Sequence, residues 1–437
     1  MLSPGVRRIA QMTLTICLGA LIAGIAPPNT ALSDTAAVPP PAQWTQFRLN
    51  AQRNPVIAID ATPSWTVETH GSISASPSLV NGIVYLGNNR GALYAIDVRS
   101  GHVLWTHRVT NPLMSNPLVY DGVVIVGEGN SNSTTYVPRR QVQVGDGPNA
   151  LIGLQAQTGK QVWRVPLSGT GMPTPVIVNG LLVHHNGNGG ILAFDLHTQQ
   201  IVYRRIVKSV ASMVGLLPLS GDLVVTSGIF PSRVFAVRPA TGSIAWEYRL
   251  SANDSGVGDC PPVSDGSRVF GDYIAPAAPN AEAGVGTIGV ERVYALDATT
   301  GRPAWNIALE TGIVPPENET AIPLIAGNRL YVGSAVAPYV HAIDTATGKV
   351  LWRFKTGGPV KGGIVAVGRR IYFGDLAGNL WAVDGASGSL LGTLKTATRF
   401  NVGSPIVVGR SLIIGSETGS IVALPLARID GGHSASH

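Results

Sequence analysis

Apolar positions along this chain fall in short runs that recur in a fixed order. A brief run follows a proline, an Asn-Gly or Asp-Gly pair comes next, then a run rich in Val, Ile and Tyr that ends in glycine. A polar loop follows, and each unit closes on a segment ending in tryptophan. AIDVRSGHVLW (95–105), ALDATTGRPAW (295–305) and AIDTATGKVLW (342–352) are the clearest copies of that segment, and five weaker ones accompany them. Within residues 76–105, Asn81-Gly82 supplies the positive φ angles of a two-residue hairpin turn, and Ile83, Tyr85, Leu93 and Ala95 lie in β-type runs. Asp97 and Gly101 form the next turn, with Asp bonding nearby backbone and Gly taking the left-handed conformation. Four strands per unit predict a propeller blade, and blades that cannot bury both faces alone must stack into a ring.

The third-strand markers are Asp97, Gln155, Asp195, Arg238, Asp297, Asp344, Asp384 and Leu424, which predicts eight blades. The last copy, residues 404–424, has only three strands. PSWTVETHG (63–71) supplies the fourth, with Trp65 in the slot of Trp105, so the predicted fold is an all-β, eight-bladed β-propeller of four-stranded blades closed by an N-terminal strand around Trp65. Trp163, Trp246, Trp305 and Trp352 share that slot, with Tyr203 and Leu391 replacing the ring in two blades. Their spacing follows the repeat, so they are read as structural.

Composition changes the picture at three points. Charged residues make up 13% of the chain, against about 25% in an average globular protein. A surface poor in carboxylates loses little when its medium turns acidic, which fits growth in acid; Gly- and Val-rich β repeats alone give the same composition. Arg7-Arg8, the apolar run Ile9–Ala26 and the exit Ala31-Leu32-Ser33 read as an export signal spanning 1–33. A linker (34–42) with Pro39-Pro40-Pro41, the propeller (43–428) and a polar tail (429–437) follow. Cutting the leader lowers the formal net charge from +6 to +4 and removes Cys17, leaving Cys260 as the lone thiol. The cations form no run interleaved with aromatics, so nucleic acid is not expected as a partner and a small anionic ligand is.

The motif Ala-x-Asp-x-x-x-Gly-x-x-x-Trp, with the opening segment Trp44-Thr-Gln-Phe-Arg48, resembles the pyrroloquinoline-quinone-type propeller family over nearly the whole mature chain. The resemblance implies the fold and leaves the function open. That family includes quinone-dependent alcohol dehydrogenases, the propeller lipoprotein of outer-membrane assembly, and tetrathionate hydrolases. The dehydrogenases carry adjacent cysteines beside the quinone; this chain has no Cys-Cys pair and no recognisable calcium set, so neither a cofactor nor a metal is expected.

Two units are swollen between their second and third strands, at 129–150 and 272–292. Such loops open on the face that also carries the blade-to-blade connections, so both insertions build up one mouth of the channel. Connections on that face bring Asn116, Asp259, Cys260, Glu319 and Lys361, and Arg139 and Arg140 reach in from the first insertion. A thiolate attacks divalent sulfur, cations stabilise sulfonates and a leaving thiosulfonate, and a carboxylate activates water. The set therefore suits hydrolysis of a sulfur–sulfur bond: Cys260 as nucleophile, Asp259 or Asp272 as base, and Lys361, Arg139, Arg140, Asn116 and Glu319 around the substrate. GVGDCPPV (256–263) and FGDYIAP (270–276) resemble the tetrathionate-hydrolase branch. The alternative is a non-catalytic scaffold resembling the assembly lipoprotein; outer-membrane association and a homodimer stay open. His184-His185 sits in a second strand, where adjacent side chains face opposite ways, so both cannot readily bind one metal and one of them is read as core or channel lining.

Overall fold

The computed structural model describes residues 39, 41–129, 134–137, 140–143, 148–211, 213–229, 231–257, 259, 261–278, 281–315 and 320–431, with only the backbone of 134–137 and 140–143. Seven antiparallel four-strand meanders, and an eighth sheet that joins three C-terminal strands to strands from the N-terminus, form the blades of a β-propeller. Blade 1 runs through Ser78–Val80, Ile83–Gly87, Ala92–Asp97 and Val103–Arg108. The innermost strands of blades 2 to 7 are Leu118–Tyr120, Val176–Val178, Leu217–Leu219, Val263–Ser264, Leu324–Ala326 and Val365–Val367. Blade 8 comprises Ile406–Val408, Ser411–Gly415 and Ser420–Pro425, and Trp65–Glu68 pairs antiparallel with the last of these as the expected fourth strand.

The turns follow the local chemistry. Asn81 and Gly82 have φ of 49° and 78°, and Gly101 has φ of 75°. Asp97 Oδ1 accepts from the backbone N–H of Arg99 and Ser100 at 3.1 and 2.8 Å, and Asp297 Oδ1 accepts from Thr299 and Thr300 in the same way. Facing sheets of neighbouring blades bury the core between them: Val183, Ile191 and Ala193 of blade 3 pack with Leu216, Val224 and Phe235 of the next.

The tryptophans rivet blade to blade. Trp105 Nε1 donates to Ala156 O of blade 2 at 2.9 Å, and Trp246, Trp305 and Trp352 donate to Ala298, Thr345 and Gly385 of their following blades. Trp65 completes the circle by donating to Val98 O of blade 1 at 2.8 Å. Each of these rings lies over the turn glycine of the next blade, Gly159 under Trp105 for example, where a β-carbon would collide with the indole. Blade 7 departs from expectation. Its register pairs Ala382 with Gly392, as Ala342 pairs with Trp352, so Gly392 and not Leu391 holds the tryptophan slot. The C-terminal helix Leu426–Asp430 packs there instead, its Ile429 and Asp430 backbone filling the space over Gly392. Trp105→Ala is expected to lower unfolding stability by about 3 kcal/mol, read from the denaturant midpoint, through lost burial and an orphaned carbonyl.

Sequence pattern gave no sign of what lies inside the ring. Residues 41–57 run around the channel wall and meet every blade in turn. Asn81 N donates to Pro41 O, Trp44 and Val119 exchange two backbone bonds, and Ile177 N donates to Thr45 O. Arg53 Nη2 reaches Gly215 O and Leu216 O at 3.1 and 3.2 Å. Ser264 N, Ile325 N and Val407 N then donate to Ala51 O, Gln52 O and Pro55 O, while Asn54 and Ala366 exchange two bonds. The belt ends with Val56–Ile57 parallel to the innermost strand of blade 8. Arg48, Leu49 and Arg53 take φ of 50°, 71° and 59°, the bends that turn the belt inward.

Candidate active site

One mouth of the channel narrows to a recess floored by Phe47 of the belt. Its wall comes from connections entering different blades, including Ser76, Asn116, Met213, Asp259 and Thr320. Gly215 makes room for the floor, since a β-carbon there would strike the Phe47 ring. The free volume is about 20 Å³, enough for one small group such as the end of an extended anion. Among the described residues no three His, Cys, Asp or Glu side chains converge to hold a metal ion.

Of the residues expected at the mouth, Asn116 and Asp259 line the recess. Asn116 already has both ends of its amide engaged: Oδ1 accepts from Ser76 N, and Nδ2 donates to Thr174 Oγ1 at 2.7 Å. It clasps three connections together and presents its edge to the recess. Asp259 sits in a turn whose N–H donates to Gly256 O at 2.9 Å. Lys361 is 1% exposed and does not line the recess. Cys260, Glu319 and Arg139 lie outside the described residues, as does the side chain of Arg140.

Asp272 differs from the loop placement expected of it. The second and third strands of blade 5 are long, Arg268–Pro276 and Ile288–Asp297, so the connecting loop begins only at 277. Asp272 pairs with Val293 inside this hairpin, fully buried against blade 6, and its Oδ2 accepts from Ala321 N at 3.0 Å.

Beside it stands an acid that the sequence reading overlooked. Glu291 is opposite Ile274 on the same buried face, and its Oε1 accepts from Ala335 N at 3.1 Å. Burial, reinforced by the Asp272 charge, pushes the Glu291 carboxyl up to about 8, against the pull of hydrogen bonds from Ser334 and Ala335. Glu291 is therefore neutral at pH 7. Glu310 follows on the fourth strand, bonded to His341 Nε2 at 2.9 Å and flanked by Arg353 at 3.4 Å. Burial lowers His341, although Glu310 opposes the shift. A glutamate in register with Val293 and Ala295 in an apolar strand was the signal available.

His184 and His185 are both fully buried. Burial holds them down at about 3 and about 4, so both are uncharged. His185 contacts Thr226 Oγ1 at 3.0 Å and Ser209 O at 2.6 Å, as a core residue would.

The ring of tryptophan-riveted blades, closed by an N-terminal strand around an axial recess, defines an eight-bladed propeller of the quinone-type repeat class. The chain belongs to the family of the outer membrane protein assembly factor BamB, whose profile matches residues 52–136, 127–271 and 289–428. It is 24% identical to a tetrathionate hydrolase of Acidithiobacillus ferrooxidans over 93% of this chain and 90% of that protein. It is 25% identical to the outer membrane protein assembly factor BamB of Burkholderia pseudomallei over 89% and 91% of the two chains. The crystal structure of BamB from Moraxella catarrhalis superposes with a TM-score of 0.60 at 16% identity, covering 83% of this chain and 99% of that one.

Proposed function

We propose that this protein is an exported hydrolase of inorganic sulfur compounds that cleaves tetrathionate or a close relative at the channel mouth. The observation that carries the reading is the similarity to a tetrathionate hydrolase along nearly the full length of both chains. The recess supports it, because Asp259 borders a cavity that admits one end of a long anion, and Cys260 is the next residue in the chain.

In this scheme the Cys260 thiolate attacks a sulfane sulfur of tetrathionate. The new sulfur–sulfur bond forms as the central one breaks, and its electron pair leaves with thiosulfate. Water then attacks the sulfonate sulfur still held on the enzyme, releasing sulfate and leaving a persulfide on Cys260, while a carboxylate takes the proton; the outer, zero-valent sulfur of the persulfide then departs as elemental sulfur, its bonding pair staying on Cys260 as the regenerated thiolate. Of the two acids first considered, Asp259 suits this role better, since Asp272 is sealed in the blade 5–6 seam. Arg139, Arg140 and Glu319 are assigned to the surroundings of the substrate, whereas Lys361, buried and outside the recess lining, is not. Asn116 acts there by holding Ser76 and Thr174 in position. The N-terminal 33 residues are assigned as the export signal, which puts the propeller in the periplasm or outside the cell.

Incubation of the mature protein with tetrathionate at acid and neutral pH should release thiosulfate. Cys260→Ser should abolish that release while leaving the melting profile unchanged, because a hydroxyl cannot replace a thiolate at sulfur. Full turnover by the serine variant would overturn the thiol mechanism. The family match and the similarity to an assembly factor favour a second reading, a scaffold that binds partner loops on one face. Absence of turnover at every pH would select it.

A further inference from the structure

The wall of the recess follows the repeat. In six of the eight blades the residue four places before the innermost strand lines it: Ser74, Met114, Met213, Asp259, Thr320 and Val402. Blades 3 and 7 carry Met172 and Lys361 there, which are 2% and 1% exposed and stand outside the lining. Beyond residue 12 the chain has three methionines, and all three hold this one position, in the consecutive blades 2, 3 and 4. Blade packing does not require a thioether there, since the same position takes serine, aspartate, threonine, lysine or valine in the other five.

Met114 and Met213 are partly exposed, so each meets the free space of the recess. A thioether is apolar and polarisable, on an unbranched stem that adapts to what it touches. Phe47, Ile322 and Val402 extend that apolar lining, and Asp259 is the one charged side chain among the described residues of the wall. Blade 1, the neighbour of blade 2, supplies hydroxyls. Ser74 Oγ accepts from Asn89 Nδ2 at 3.1 Å and Ser76 Oγ accepts from Ser404 N at 3.0 Å, which leaves the O–H of each to donate. Hydroxyl donors beside thioethers match an anion whose charge lies at its end and whose middle is neutral. Polythionates are built that way, with sulfonates at both ends and uncharged divalent sulfur between them. Divalent sulfur is large and poorly hydrated, so it leaves water at little cost and gains dispersion contact against another sulfur.

We propose that Met114 and Met213 form a sulfane subsite: their thioethers hold the neutral divalent sulfurs of a polythionate, while Ser74 and Ser76 donate to its terminal sulfonate. The inference rests on the reading of this protein as a polythionate hydrolase, and it names the part of the wall that selects the substrate. Selection acts on the uncharged middle of the anion. Dithionate, which has the same two sulfonates and no divalent sulfur, lacks the group that the methionines hold.

The test is steady-state hydrolysis of tetrathionate by the mature protein, with dithionate as a competing anion. Dithionate should inhibit only at concentrations about tenfold above the KM for tetrathionate. Replacing both methionines by glutamine (M114Q with M213Q) keeps their length and sets an amide against neutral sulfur, so KM for tetrathionate should rise about tenfold with kcat changed far less and the inhibition constant of dithionate unchanged. The leucine pair (M114L with M213L) keeps the apolar surface and should stay within about threefold of the parent. Turnover of tetrathionate with an unchanged KM in the glutamine pair, or dithionate bound as tightly as tetrathionate, sinks the subsite and leaves the hydrolase standing. Absence of wild-type turnover at every pH removes both together. If the glutamine pair does not fold, the dithionate comparison in the wild type decides.

Discussion

Deletion of residues 1–68 is expected to yield an aggregate in place of a folded monomer. The cut removes the fourth strand of blade 8, so Ser420–Pro425 presents an unpaired edge that invites intermolecular pairing. It also removes the Trp65 bond to Val98 across the blade 8–1 seam and the belt that bonds to the inner wall of all eight blades. Nothing left in the chain replaces these groups, so the seam opens along its whole height. A shorter deletion ending at Ala58 separates the two contributions: it keeps Trp65–Glu68 and takes away only the belt. That protein should close its ring yet melt well below the parent, because its channel wall loses its hydrogen-bond partners. Size-exclusion chromatography and thermal unfolding read both results. A cooperatively melting monomer from the longer deletion would refute the closure.

Between pH 6.5 and 8 the contribution of Glu291 to stability should fall by about 2 kcal/mol as the pH rises, and Glu291→Gln should remove that fall. The folded-state pKa of Glu291 is raised to about 8 from its ordinary value of 4.5. The folded protein therefore holds a proton that the unfolded chain releases above pH 4.5, and stability drains away until Glu291 itself ionises beside Asp272. The groups facing it are Asp272 and Glu310 on its own blade, with Ser334 and His341 on the neighbouring one. Below pH 6.5 the histidines act in the opposite direction. His184 and His185 are depressed to about 3 and about 4, so acid protonates them in the unfolded chain first and costs stability. The buried histidines still act between pH 6.5 and about 7.5, where the unfolded chain keeps part of their protons, so the comparison of wild type with the glutamine variant, in which they cancel, isolates the glutamate. Denaturant unfolding at closely spaced pH values measures the slope, and an equal slope in the glutamine variant would show that Glu291 is not its source.

The ring was readable in the sequence because each blade repeats a local grammar, and Trp65 betrays the strand borrowed by blade 8. Blade 7 was misread by one residue because glycine has no ring to mark the slot, although the repeat's own spacing, eight residues from Asp384 as from Asp344 to Trp352, points to Gly392. Asp272 was taken for a loop residue because the swollen spacing looked like loop, whereas the hairpin of blade 5 simply grows longer. Its partner Glu291 was hidden for the same reason. The course of the belt was not legible even though its Trp44–Arg48 segment carries the family resemblance, since it binds mostly through backbone carbonyls and amides, and those carry no pattern of side chains. The mouth of the channel was legible from connection topology, which brought Asn116 and Asp259 to one recess from connections far apart in the chain.

The belt also acts as a ruler. Its 41–57 stretch bonds to all eight blades, from Asn81 of the first to Val407 of the last, each through different residues of the belt. Gain or loss of one repeat would leave every later contact of the belt out of phase with its blade. Repeat proteins ordinarily drift in copy number by duplication and deletion; here a single non-repeated segment ties the count to eight, and any descendant with another number must first rewrite its N-terminus.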